Sequence, residues 1–295
     1  MNILITGGTG FIGSALCSYL LDLEHDVVVL SRFEDPGNGR VKTITRLEQP
    51  GQNAYYDVVV NLAGEPIANK RWTQRQKERI INSRVEITKS LLEHIGRAET
   101  KPELLISGSA IGYYGVAASD EPISEGAAGD DSFSSRLCKQ WEEQALQAES
   151  MGIRTCLLRT GIVLGKSGGA LQRMLLPFRF GLGGKIGNGE QWMPWIHLAD
   201  LINIIVYCIE NKQLKGPVNG TAPNPVKNKE FTKTLGAVLN RPTLLPMPGF
   251  IIKLLMGQMG EELLLSGKRV LPEKVVGAGY QFQYKSLDKA LLSIL

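Results

Sequence analysis

Three glycines three residues apart, Gly7, Gly10 and Gly13, sit in the run Thr6-Gly7-Gly8-Thr9-Gly10-Phe11-Ile12-Gly13 and set the first chemical expectation. Glycines at this spacing allow a tight turn, close approach of a pyrophosphate and close packing of the following helix. The apolar run Ile3-Leu4-Ile5 precedes them, and Phe11, Ile12, Ala15, Leu16, Tyr19 and Leu20 follow. A strand therefore runs into a glycine turn and a helix, which brings backbone N–H groups and a helix N-terminus to an anion. The spacing is GxxGxxG rather than GxGxxG, and no Lys-Ser/Thr follows, so a nucleoside-triphosphate loop is not expected. Thr9, Phe11 and Ile12 fall within the same cofactor contact.

A second buried strand, Val27-Val28-Val29-Leu30, is followed at once by Ser31 and Arg32. An NAD site places an acidic residue there, about 20 residues past the loop, for the ribose 2′-hydroxyl. A hydroxyl and a guanidinium suit a 2′-phosphate instead, so the expected cofactor is NADP(H). Glu34 and Asp35 keep NAD as the minority reading.

Arg84 is the next residue of chemical interest. At about 100° per residue, Ile80, Ile81, Val85, Ile87, Leu91, Leu92 and Ile95 share one helical arc with Arg84 in its middle. A buried charge needs a partner, here backbone carbonyls, a cofactor phosphate, a substrate anion or a structural carboxylate such as Glu65. Further on, Gln191, Trp192, Trp195 and His197 supply amide, indole and imidazole donors suited to lining a substrate pocket. His197 also fits a core histidine, and Asp200 fits a helix cap better than chemistry.

Strands and helices that position these groups alternate along the chain. Asp57–Leu62, Leu104–Ser107 and Thr155–Arg159 read as further buried strands, with helical patterns near 72–96 and 133–149. This is an α/β pattern: a Rossmann-type, doubly wound parallel sheet with ligands beyond the carboxyl ends of its strands. Residues 1–165 form the expected nucleotide-binding domain, to which the chain returns around 196–220. Residues 166–295 form a smaller α+β substrate lobe. Gly165–Gly169 reads as a junction, and the glycine-dense stretch 181–189 as a loop over the cleft. The helix after Gly249, with Ile251, Ile252, Leu254 and Leu255, offers an apolar surface for a lobe contact or a homodimer.

Composition agrees with a soluble enzyme of 295 residues and net charge +4. No Lys/Arg block calls for nucleic acid or an anionic membrane, and no apolar run reaches membrane-spanning length. The partner expected is a small-molecule substrate. Cys17, Cys138, Cys156 and Cys208 have no metal-ligand spacing and read as core residues, so no metal is expected. With no opening signal segment read, the expected location is cytoplasmic.

The glycine run, Asn61-Leu62-Ala63-Gly64, Ser109–Gly115 and Trp195–Asp200 together resemble an extended short-chain dehydrogenase/reductase. Within that superfamily the chain is most similar to the atypical YfcH-like epimerase branch, loosely labelled cell-division inhibitor. Leu263–Pro272 looks like that branch's C-terminal extension, and Asn82-Ser83-Arg84-Val85 matches it too. The resemblance implies NADP(H), with Leu62, Ala63, Gly64, Arg84 and Val163 joining the glycine loop, Ser31 and Arg32. It also implies a Tyr-x-x-x-Lys pair and a strand-end serine. Here Lys139 fits the lysine and Ser109 the serine, but Ser135 stands where the tyrosine belongs. A serine hydroxyl is a poor acid at neutral pH. Periodicity sets Lys139 largely opposite the helix's buried arc, where a solvated lysine also belongs. Tyr113 or Tyr114 is the available replacement phenol. Two functions follow: an NADP(H)-dependent oxidoreductase or epimerase-like enzyme on a small carbonyl or sugar-like substrate, or a catalytically reduced NADPH-binding regulator.

Overall fold

The computed structural model describes residues 1–32, 41–49, 55–117 and 119–295; Glu34 and Asp35 lie outside the described residues. Seven parallel strands form the central sheet: β1 (Asn2–Thr6), β2 (Asp26–Leu30), β3 (Lys42–Ile44), β4 (Val58–Asn61), β5 (Leu104–Ala110), β7 (Arg154–Thr160) and β11 (Gly216–Gly220). A short β6 (Pro122–Ile123) lies outside it. The spatial order is β11-β7-β5-β4-β1-β2-β3, so strand order reverses between β1 and β4. That reversal opens the crevice in which α/β sheets bind ligands.

Alternation along each strand sends side chains to two apolar layers, as a sheet buried on both faces requires. Ile3 and Ile5 pack with helices α1 (Phe11–Asp22) and α5 (Leu198–Glu210). Leu4, Val59, Leu105 and Leu157 pack with α2 (Gln74–Arg97) and α3 (Phe133–Leu146). Thr73 and Ser132 cap α2 and α3, each accepting a backbone N–H of the first turn. The buried arc of α2 is narrower than its periodicity predicts: Ile80, Leu91, Leu92 and Ile95 are buried, whereas Ile87 is exposed.

After β8 (Ile162–Gly165) the chain builds α4 (Gly169–Arg179), β9 (Trp192–Met193) and β10 (Trp195–His197). It returns to the sheet through α5 and β11, then leaves it for β12 (Val226–Lys227), α6 (Asn228–Leu239), α7 (Gly249–Met256) and α8 (Gln258–Leu264). β13 (Arg269–Val270), α9 (Glu273–Gly277) and α10 (Leu287–Ile294) complete it. A second apolar core, with Leu164, Leu171, Trp195, Phe231 and Leu291, holds this part together. Several ties bind it to the first part of the chain. β13 pairs with β6, and the fully buried Asp200 carboxylate accepts the Gln283 and Tyr284 N–H groups and the Tyr280 hydroxyl. Asp200 is thus a latch; the cap of α5 is His197, whose Nδ1 accepts the Ala199 N–H at 3.0 Å.

All four cysteines are buried and free. Among the described residues no helix is long and apolar enough to cross a membrane, and no cluster of His, Cys, Asp or Glu could hold a metal ion.

Candidate functional site

Gly7 adopts φ +72°, and a Cβ there would lie 2.7 Å from the Leu62 carbonyl. At Gly13 a Cβ would lie 2.2 Å from the Gly7 oxygen, so any side chain would force the turn and helix apart. The strand ends, the turn and α1 are therefore packed backbone against backbone at the reversal point. Gly10 opens α1 without a side-chain cap, and the first turn holds no acidic residue. The positive end of the helix dipole is left for an external anion, so these residues fit a dinucleotide pyrophosphate. Leu62 and Ala63 lie directly over the turn, with the Ala63 N–H donating to Thr6 Oγ1 at 3.2 Å. Phe11 packs against Gly165, Gly168 and Gly169, which pins what the sequence suggests is a loose junction. Ser31 and Arg32 follow β2 directly, at the rim beside the turn. Val163 lies in β8, partnered by Ile196 in β10.

Arg84 is bonded to its own helix rather than to Glu65. Its Nη1 donates to the Ile80 carbonyl at 3.1 Å and to Ser83 Oγ at 3.3 Å, and it lies 5.3 Å from the Trp141 ring. The rest of the guanidinium abuts Gly64, where a Cβ would lie 2.9 Å from Cζ. Burial lowers its pKa, only partly offset by Cys138 and Glu65, and among the described residues no carboxylate pairs with it. A cation stands at the carboxyl end of β4, beside the glycine turn.

The pair expected from the resemblance is dismantled by one loop. Ser135 is fully buried and donates to the Tyr113 carbonyl at 2.7 Å. Lys139 Nζ donates to the carbonyls of Asp130 at 2.8 Å and Gly129 at 3.4 Å. Gly129 lies where a Cβ would sit 2.1 Å from the Tyr113 oxygen and 2.5 Å from Ser135 Oγ. Lys139 is half-buried and, among the described residues, not paired with a phenol; it ties down the backbone that covers Ser135.

Ser109 lies within β5 rather than after it. Its hydroxyl donates to Glu142 Oε1 at 2.6 Å. Glu142 in turn grips Arg159 through two bonds of 2.8 Å, with both side chains almost wholly buried. Burial alone would lower the Arg159 pKa, but the hydrogen bonds and charge of Glu142 carry it above its ordinary value. Arg159 also donates to Tyr114 Oη and the Glu125 carbonyl, and Tyr114 donates to Asn219. Tyr114 is therefore locked in the interior. Tyr113 differs: it is half-buried, its ring lies 3.4 Å from the Arg159 guanidinium, and its hydroxyl makes no hydrogen bond among the described residues.

The four groups expected to line a substrate pocket do not converge: Gln191 donates to the Ile186 and Leu264 carbonyls. Trp195 is fully buried in the second core and donates to the Asn224 carbonyl at 3.0 Å. His197 stacks on Tyr284 at 3.9 Å and faces Ser293 of α10. Only Trp192 stays in a polar setting, donating to Asp120 between Lys227 and Arg269. Strand alternation and Pro194 turn neighbouring residues to different surroundings. Sequence reasoning missed the Glu142–Arg159 pair, whose signal is a carboxylate inside the buried arc of Cys138, Trp141 and Ala145.

A profile of the NAD dependent epimerase/dehydratase family matches residues 3–219, and one of a domain of unknown function matches residues 247–294. The chain is 39% identical over 300 residues to epimerase family protein YfhF of Bacillus subtilis, covering 100% of this chain and 98% of the relative. It is 39% identical over 298 residues to epimerase family protein SDR39U1 of Homo sapiens, covering all of both. The crystal structure of the human protein with NADPH superposes with TM-score 0.92 at 37% identity, covering 100% of this chain and 99% of that one.

Proposed function

Because the chain belongs to the NAD dependent epimerase/dehydratase family, we propose that it binds NADP(H) on the glycine turn and serves as an oxidoreductase or epimerase-like enzyme for a small carbonyl or sugar-like substrate. The observation that carries the proposal is the uncapped N-terminus of α1 behind a turn with no room for side chains at Gly7 and Gly13. NADPH, the ligand of the human relative, would supply hydride. Gly7, Thr9, Gly10, Phe11, Ile12 and Gly13 hold its pyrophosphate, while Ser31 and Arg32 receive the 2′-phosphate. Leu62, Ala63, Gly64 and Val163 wall the cleft, and Arg84 supplies positive charge at its floor.

Proton transfer falls to Tyr113. Its hydroxyl is the phenol left available, held in place by the Arg159 face beneath its ring. Ser109 plays a positioning part: its proton points to Glu142, so its oxygen offers lone pairs to a donor on the substrate. Occupation of Ser135 and Lys139 by backbone favours a second reading, an NADPH-binding protein that regulates a partner.

NADPH consumption across a panel of aldehydes, ketones and keto-sugars separates the two. Turnover with at least one class, reduced about 100-fold or more by Tyr113→Phe at unchanged NADPH affinity, supports the enzyme. Tight NADPH binding with no turnover across the panel supports the regulator.

A further inference from the structure

Half of the exposed large apolar side chains among the described residues fall between Leu176 and Leu255, on three adjoining segments. The segments are the end of α4 with the loop after it, the strip 241–248, and α7. They form one face. Arg241 Nε donates to the Arg179 carbonyl, and the Met247 N–H donates to the Lys185 carbonyl while its own carbonyl accepts the Gly187 N–H. Gly249, at the start of α7, lies 3.9 Å from Gly187 as measured from its ideal Cβ. The exposure is high: Phe180 73%, Leu244 82%, Phe250 71%, Leu254 72%. Single apolar residues at a surface need no explanation, but a contiguous group does.

Charge says what covers it. Residues 170–187 and 240–257 contain Arg173, Arg179, Lys185, Arg241 and Lys253 and no acidic residue. All five are exposed. Lys253 shares its charge with Glu261 at 2.7 Å, on the next helix. A second copy of this chain docked two-fold on the same face would set these cations against themselves, which disfavours a homodimer there. An apolar helix face rimmed by lysine and arginine suits an interface between acyl chains and acidic headgroups.

We propose that this face seats the protein on an anionic bilayer surface, with Phe250 and Leu254 of α7 entering the headgroup layer and the five cations meeting acidic lipid. The sequence shows no basic block because the cations stand six or more residues apart; the fold collects them. Nothing in this seating crosses the bilayer.

The test is co-sedimentation of the full chain with extruded vesicles of phosphatidylcholine alone or mixed with phosphatidylglycerol, at low and high salt. The account expects binding to the mixed vesicles, little to the neutral ones, and loss with rising salt. Phe250→Glu/Leu254→Glu abolishes sedimentation, and Arg179→Glu/Arg241→Glu weakens it by about 30-fold or more, since each of the two lost cations contributes about 1 kcal/mol near the surface. Both variants keep wild-type NADPH affinity, which shows that they fold. Absence of binding to mixed vesicles, equal binding to neutral ones, or variants that bind like wild type would each overturn the proposal. So would a concentration-dependent dimer that the same substitutions dissolve.

Discussion

Replacing Glu142 with alanine tests the buried network behind Tyr113. The substitution leaves the Arg159 guanidinium, whose side chain is 3% exposed, with only Tyr114 Oη and the Glu125 carbonyl as acceptors. It also strips Ser109 of the acceptor for its proton. Removing one partner of a buried ion pair costs about 3–5 kcal/mol, because the remaining charge stays out of water. Against a whole-protein stability of about 5–15 kcal/mol this is a large loss. The melting temperature should fall by roughly 6–20 °C. Urea unfolding followed by tryptophan fluorescence measures the loss of free energy, Trp141 being the residue next to Glu142 in α3. The double variant Glu142→Leu/Arg159→Met removes both charges and should be more stable than Glu142→Ala, with a coupling of about 2 kcal/mol or more across the cycle. A loss below about 1 kcal/mol for Glu142→Ala, or additive effects in the cycle, would refute the reasoning.

Gly13→Ala drives a methyl into the Gly7 carbonyl and should weaken NADPH binding by about 10-fold or more, read by fluorescence titration. Arg32→Ala should lower NADPH affinity by about 10- to 100-fold and leave NADH affinity nearly unchanged, the loss expected for a charge-assisted hydrogen bond. Burial, opposed by Asp200, holds the His197 pKa below its ordinary 6.5. A depressed folded-state value gives stability that is complete above 6.5 and lost as pH falls toward the folded pKa. His197→Asn, which keeps a capping side chain, should therefore show a shallower loss of stability on acidification below 6.5 than wild type.

Much of the fold is legible because continuous apolar runs such as Val58-Val59-Val60 have one use in a chain of this pattern, a strand buried on both faces. The glycine turn is legible because its spacing follows an apolar strand and opens an apolar helix. Arg84 stands out as a charge inside an apolar arc, and the same test applied to α3 would have singled out Glu142. Its pairing with Arg159 is a contact between helix and strand, which local periodicity does not carry. Lys139 illustrates the opposite limit. Helical arithmetic correctly turns it from the apolar core, but the Gly129–Asp130 backbone closes over that side and accepts its ammonium. Trp192, Trp195 and His197 are neighbours in sequence only; one bonds at a polar surface, one fills a core, and one caps a helix. The apolar and basic face of α4 and α7 is invisible along the chain because its parts lie far apart in it.

Calorimetric titration of the wild-type chain with NADPH and, separately, NADH addresses the central claim most directly. NADPH should bind at least about 10-fold more tightly, the margin expected when a cation meets a 2′-phosphate behind β2. Equal affinities, or no binding of either dinucleotide, would contradict it.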